Sequence, residues 1–189
     1  MQNDAALLKP SGVHVYTAEV GTERPTVFDD LLKPPATWTE VGHTTVDNLV
    51  DFSFEGGERT TLATAQKAAA REAVADIIES FGVNLLEWTK DSAGLYYGKN
   101  VRLLADGAVE IPSKPQPKEV ALLVVLTDAD AVAGFYAAKA SAFRNSAVAV
   151  PDMNSLAQLP IKFTAMQHEG KDSAITMIPK RTKAEEPGV

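Results

Sequence analysis

The sequence predicts a mainly β fold, α+β in class: two packed antiparallel sheets in a β-sandwich or split barrel, with one short flanking helix. Three observations predict it. Short segments alternate apolar and polar residues with period two, as where Val50, Phe52 and Phe54 interleave with Asp51, Ser53 and Glu55. Turn signals recur between such segments, among them Gly56-Gly57, Asp106-Gly107 and Glu169-Gly170-Lys171-Asp172. No run of βα units appears, which removes a doubly wound parallel sheet.

Taken in order, residues 1–12 read as a polar arm ending in Pro10-Ser11-Gly12. Val13, Val15 and Thr17 then alternate with His14, Tyr16 and Ala18 as a strand. Residues 21–37 hold Gly21, Pro25, Pro34 and Pro35 and read as a long irregular connection, with one helical turn at Phe28–Leu32. Trp38–Val41 is a short strand and Asp47-Asn48 a turn. The strand through Phe52 and Phe54 is expected to bury its apolar face and wet the other. Gly56-Gly57 then permits a tight reversal or a bulge into a returning strand, Glu58–Leu62. Residues 63–81 leave helix and strand open. Ala65, Ala68, Ala69, Ala73, Ile77 and Phe81 fit a helical face, and alanine favours helix.

Val83–Trp88 has β character. Thr89 is placed to cap a short helix over Lys90–Tyr97, with Asp91 near its positive end and Gly98 stopping it. Val101–Leu104 and Val109–Ile111 read as a hairpin across a two-residue Asp106-Gly107 turn of type I′. Pro112, Pro115 and Pro117 make the next stretch extended. Val120–Leu126 is apolar on both faces, as a fully buried strand would be. Residues 131–150 are again Ala-rich and fit helix or strand. Pro151–Pro160 reads as loop, Ile161–Met166 and Ser173–Ile178 as the last strands, and 179–189 as a flexible polar tail. The domain is thus 13–178, between an arm and a tail.

The bulk numbers restrict function. A chain of 189 residues suits one domain, and 45% hydrophobic with 23% charged residues is ordinary globular composition. It has no cysteine, so disulfides, thiolate nucleophiles and cysteine metal sites are excluded. The net charge of −7 argues against nucleic-acid binding, which draws on Lys and Arg. The amino terminus has the composition of neither a secretion signal nor an anchor, and no apolar run is long enough to span a bilayer.

Catalytic and metal motifs fail on inspection. Gly98-Lys99 ends like a phosphate-binding loop, but Asn100 stands where Ser or Thr is needed and Ala93 where a glycine is needed. Asp128-Ala129-Asp130 begins like a calcium loop, yet Val132, Ala133 and Lys139 occupy the next ligand, turn and closing positions. His14, His43 and His168 have no metal-ligand spacing. No catalytic residue, metal or cofactor is therefore assigned. Lys180-Arg181-Thr182-Lys183 is a small basic patch offset by Glu185 and Glu186. Trp38 and Trp88 are read as packing or interface residues, with core the default. The same reading covers Phe52 and Phe54.

Several segments, in order, resemble the major tail subunits of long-tailed siphophages, especially those of actinobacterial hosts. They are Trp38-Thr39-Glu40-Val41-Gly42-His43-Thr44, then Leu49 into Asp51-Phe52-Ser53-Phe54-Glu55-Gly56-Gly57-Glu58. Leu95-Tyr96-Tyr97-Gly98, Ala121–Leu126, Leu159–Thr164 and His168-Glu169 follow. The matches span about residues 13–169; Ala65-Gln66 departs where Trp-Gln is expected. The resemblance implies the tail tube fold, with strands over 63–81. It implies a non-enzymatic virion protein, made in the host cytoplasm, whose hexameric rings stack into a tube that conducts DNA. It implies as partners a tape-measure protein and tail tip and terminator proteins, with no membrane insertion. The acidic balance predicts a lumen lined by carboxylates such as Asp51, Glu55 and Glu58, so that DNA slides without being held. Trp38, Phe52, Phe54, Trp88, Gly56 and Gly57 are the expected packing or ring-interface residues, and the arm and the 21–60 region the expected inter-ring contacts. A β-sandwich binding module or virion decoration protein is the alternative.

Overall fold

The computed structural model describes residues 6–46, 49–150 and 152–183. The expected Asp47-Asn48 turn, residues 1–5 of the arm and residues 184–189 of the tail lie outside them. The elements are β1 (Gly12–Ala18), α1 (Phe28–Leu32), β2 (Thr39–Glu40), β3 (Asp51–Gly56), β4 (Arg59–Thr64), β5 (Lys67–Val74) and β6 (Ile77–Leu85). Then come α2 (Lys90–Tyr97), β7 (Arg102–Leu103), β8 (Val109–Glu110), β9 (Lys118–Asp128), β10 (Ala131–Arg144), β11 (Leu159–Ala165) and β12 (Thr176–Thr182). The fold is mainly β with short helices. Eight strands form one antiparallel sheet in the order β2-β1-β9-β10-β11-β6-β3, with β12 branching off β10, and two ribbons, β4-β5 and β7-β8, stand apart.

β9 and β10 form the spine, and both faces of β9 are buried. Val120, Leu122 and Val124 enter one core with Val15, Phe81, Val83, Leu159, Ile161 and Phe163. Ala121, Leu123 and Val125 enter a second with Tyr16, Trp38, Tyr136 and Ile178. Each fully buried Leu or Phe contributes about 1.5–3 kcal/mol. Helix α2 covers the first core and α1, through Phe28 and Leu31, the second. The Ala-rich stretch settles as strand β10. The register shifts between Ala137 and Ala140, so Val132, Tyr136 and Ala138 face the second core while Ala140 and Ala142 face the first. One extra residue changes which face each later side chain takes.

Segment 41–45 draws the two ends of the sheet together. Val41 N–H donates to Val15 O at 2.9 Å, Leu86 N–H to His43 O at 2.9 Å, and Thr45 N–H to Asn84 O at 3.2 Å. The sheet stays open as a split barrel because β10 carries two separate neighbours on one edge: β12 along Ala131–Tyr136 and β11 along Ala140–Arg144.

Helix α2 begins as its sequence demands. Thr89 Oγ1 accepts from Ser92 N–H at 3.1 Å, and Ser92 Oγ accepts from Thr89 N–H at 2.8 Å, a reciprocal capping box. Tyr96 Oη donates to Ser146 O at 2.6 Å and ties the helix to the loop after β10.

Three expectations are corrected. Gly56-Gly57 makes no reversal: β3 pairs with β6 and β4 with β5, so residues 51–85 form one long hairpin whose turn is Ala65-Gln66. The Asp106-Gly107 turn is not type I′. Only Gly107 has positive φ (86°), and Leu104 bonds both Gly107 and Ala108, a three-residue loop ending in a glycine bulge. Strand β12 runs past Ile178 to Thr182, pairing Arg181 with Val132 and Thr182 with Ala131. Pro179 is tolerated there because the register shifts around it on an edge strand.

Candidate assembly surface

The outer edge of β3 is a free sheet edge among the described residues, since β3 ends the strand order. Its even-numbered face carries Phe52 and Phe54. These were expected to be core; instead they are 48% and 70% exposed. Alternation reports which face is apolar, but no second layer covers it here. Phe52 packs edge-on against Phe81, with centroids 5.2 Å apart, and tilted against Phe135 at 4.8 Å. Together with Ile175 and Met177 they line an open apolar groove of about 370 Å³ in the split between β12 and β3. Phe135, Ile175 and Met177 come from segments far apart in sequence, so no local pattern pointed to them.

The odd-numbered face of β3 is polar. Asp51, Ser53 and Glu55 share it, and Lys162 of β11 reaches Glu55 at 2.9 Å. That hydrogen bond, with the ammonium charge, holds the Glu55 carboxyl below its usual range. Glu58 does not join them. It lies past the two glycines, in the joint, where its carbonyl accepts from Ala75 N–H at 3.0 Å.

Gly56 and Gly57 form that joint. Their φ values are 86° and 76°, and a Cβ at Gly56 would run into the Asp76 carbonyl oxygen. Only glycine meets both demands. The register is kept across the joint (Gly56 opposite Ile77, Arg59 opposite Val74), so the hairpin bends without slipping. Beyond it, β4 and β5 pair with each other and every residue of both is exposed. Val74, Ile77 and Ile78 add exposed apolar surface at its base.

The two tryptophans part company. Trp38 is 6% exposed and meets Tyr136 edge-on in the second core, whereas Trp88 is 58% exposed ahead of α2. Beside α2 lies a cleft of about 500 Å³ between β1, β2 and the start of β9, rich in carboxylates. His14 bonds Glu40 there and His43 bonds Glu87, each at 2.7 Å. Among the described residues no group of three or more His, Cys, Asp or Glu is placed to hold a metal ion, and no helix is long and apolar enough to cross a membrane.

Residues 7–11 lie across the β9–β10 turn as a strap. Lys180 Nζ donates to Leu7 O at 2.6 Å and to Asp128 Oδ2 at 2.8 Å, and Asp128 also accepts from Lys9 N–H at 3.2 Å. Ser11 N–H continues the contact to Thr127 O at 2.7 Å.

Comparison with known proteins gives the chain's family. A family model described as phage tail tube protein matches residues 1–188. The chain is 37% identical to the major tail protein Gp23 of Mycobacterium phage D29 over 178 residues, covering 89% of this chain and 88% of that protein. It is 38% identical to the major tail protein Gp23 of Mycobacterium phage L5 over 183 residues, with the same coverage.

Proposed function

The chain belongs to the phage tail tube protein family, and from that premise we propose that it is the repeating, non-enzymatic subunit of hexameric rings that stack into a DNA-conducting tube. The observation that carries the ring is the free β3 edge beside a half-exposed aromatic groove. An exposed sheet edge next to apolar side chains invites another chain to pair with it, and a heterologous contact that closes on itself uses up every such edge. In the ring, β3 of one subunit pairs with its neighbour while Phe52 and Phe54 become buried.

The polar face carrying Asp51 and Glu55 then turns to the lumen, and Glu58 adds its charge from the joint. Phosphate is held by clustered Lys and Arg through counterion release, so an acidic wall lets DNA slide past in any sequence. Tape-measure, tail tip and tail terminator proteins bound the tube, which sits in the virion after synthesis in the host cytoplasm.

Negative-stain imaging of the purified protein, with sedimentation velocity, tests this. Rings and tubes are expected. A strictly monomeric species at high concentration would instead favour a decoration or binding module. A lumen dominated by Lys and Arg in an imaged tube would overturn the charge assignment.

A further inference from the structure

A row of hydroxyls crosses the polar face that carries Asp51, Ser53 and Glu55. Ser53 of β3 stands opposite Ser80 of β6, Ser80 opposite Thr164 of β11, and Thr164 opposite Ser141 of β10. Glu119 of β9 stands opposite Ser141 and ends the row. Two residues along, Asp51 stands opposite Gly82, and Gly82 opposite Lys162.

Two lysines reach this face, and each ends on a carboxylate of another strand. Lys162 Nζ lies 2.9 Å from Glu55 Oε1, and Lys139 Nζ lies 3.1 Å from Glu119 Oε1. Both lysine side chains are largely covered, 29% and 24% exposed. The first pair spans two strand spacings, and by register its path crosses β6 at Ser80. Ser80 is 3% exposed although it belongs to neither core cluster. The lysine stem accounts for that burial, since such stems lie along a surface while the charged head stays in water. Gly82, next to the start of that path, adds no side chain to obstruct it. The face thus uses the length of Lys162, and that length brings a cation with it.

Asp51, Glu55 and Glu119 stand against two ammonium groups, so the face is close to charge balance. Net repulsion across such a wall is weak, and at physiological salt it is screened within about 8 Å. A carboxylate in contact with an ammonium group acts well inside that range. From this pairing we propose that Glu55 and Glu119 mask Lys162 and Lys139, and that an unmasked Lys162 is a phosphate-binding site for duplex DNA. The proposal rests on the lumen reading above. It gives the carboxylates of that wall a further task, neutralising the fixed cations beside them. In a closed ring every unmasked subunit would present its lysine at the same height. About six phosphate contacts of this kind lose roughly 1,000-fold in affinity between about 50 and 200 mM salt.

Retention of DNA by assembled tubes tests it. Tubes of wild type, of Glu55→Gln and of Glu55→Gln with Lys162→Gln are mixed with a short fluorescent DNA duplex and pelleted across a salt series. Wild-type tubes should leave the duplex in solution. Glu55→Gln tubes should retain it at low salt and release it steeply as salt rises. The double variant should return to wild-type behaviour. Glu119→Gln unmasks Lys139 on the other pair and reads the same question should Glu55→Gln form no tubes. Glu55→Gln and Glu119→Gln tubes that retain no more duplex than wild type would overturn the masking. So would retention that survives Lys162→Gln. Either result, in tubes imaged with the Glu55–Lys162 face inside, leaves the lumen reading standing. A wild-type tube imaged with that face outside removes the lumen reading and this one together.

Discussion

Phe52 stands edge-on to Phe81 with ring centroids 5.2 Å apart, and the two rings live in different surroundings: Phe81 is 2% exposed and Phe52 is 48% exposed. One ring belongs to the folded monomer; the other is half finished until something covers it. Phe81→Ala should cost about 3–5 kcal/mol of stability, the usual range for emptying a buried phenylalanine site. Phe54→Ser, at a ring 70% exposed, should change monomer stability by no more than about 0.5 kcal/mol. It should nevertheless abolish ring formation, so chemical denaturation and electron microscopy would separate the two variants. Rings of normal yield from Phe54→Ser would remove the β3 face from the interface.

The joint gives a second contrast. Gly56 and Gly107 both have φ of 86°, but only Gly56 has backbone against its missing side chain. Gly107→Ala should cost about 1 kcal/mol through φ alone. Gly56→Ala must also displace the Asp76 carbonyl, so the ribbon should leave at a different angle, or its pairing with the body should open. Thermal melting of the body should barely register this, because the ribbon is exposed throughout. Hydrogen exchange at Gly57 and Ala75, and tube length, should register it strongly. Equal behaviour of the two variants would refute the role of the joint.

Thr89→Ala removes one half of the capping box at α2. A loss of about 1 kcal/mol is expected, corresponding to roughly 2–4 °C in Tm for a chain of this size. Thr89→Ser should restore most of it. An unchanged Tm in Thr89→Ala would show that the remaining contacts hold the first turn.

The strap has a defined pH response. The Lys180 hydrogen bond, followed by that from Lys9 N–H, holds the Asp128 carboxyl below its ordinary value of 3.8. A depressed carboxylate stabilises the closed strap fully above the unfolded value, and this is lost as pH falls through the lower folded value. The strap should therefore stay closed at neutral pH and loosen only in acid below the ordinary aspartate range. Asp128→Asn should loosen it at neutral pH, read as faster exchange of the Lys9 amide or easier amino-terminal proteolysis. Unchanged exchange in Asp128→Asn would mean that Ser11 and Thr127 suffice to hold the strap.

What the sequence disclosed follows from what local patterns can encode. Val120–Leu126 was legible because a strand buried on both faces has apolar residues throughout, and α2 because Thr89 and Gly98 mark its ends. The β10 stretch was open because alanine prefers helix by itself. Pairing with β9, β11 and β12 outweighs that preference, and small side chains suit a strand pressed between two cores. The β4-β5 ribbon gave no alternation because neither face is buried. Asp51 and Glu55 share a polar face as alternation implies, whereas Glu58, an even-numbered position past the two glycines, falls outside that alternation. Phe52 and Phe54 were read as core because periodicity distinguishes apolar from polar faces but is silent on what lies opposite.

The pairing of β1 with β9 has a consequence in time. Gly12 and Thr127 are 115 residues apart, and the strand between β9 and β2 is the amino-terminal one. During synthesis β1 has only the two-residue β2 beside it, and its long partner β9 arrives after most of the chain has left the ribosome. Contacts this remote in sequence close slowly, because loop entropy is lost before any contact repays it. A nascent chain therefore passes through a stage in which the 51–85 hairpin can close while the β9-facing edge of β1 is still unpaired, a state open to premature association. The arrival of β9 therefore closes the spine and removes one open edge from the folding chain.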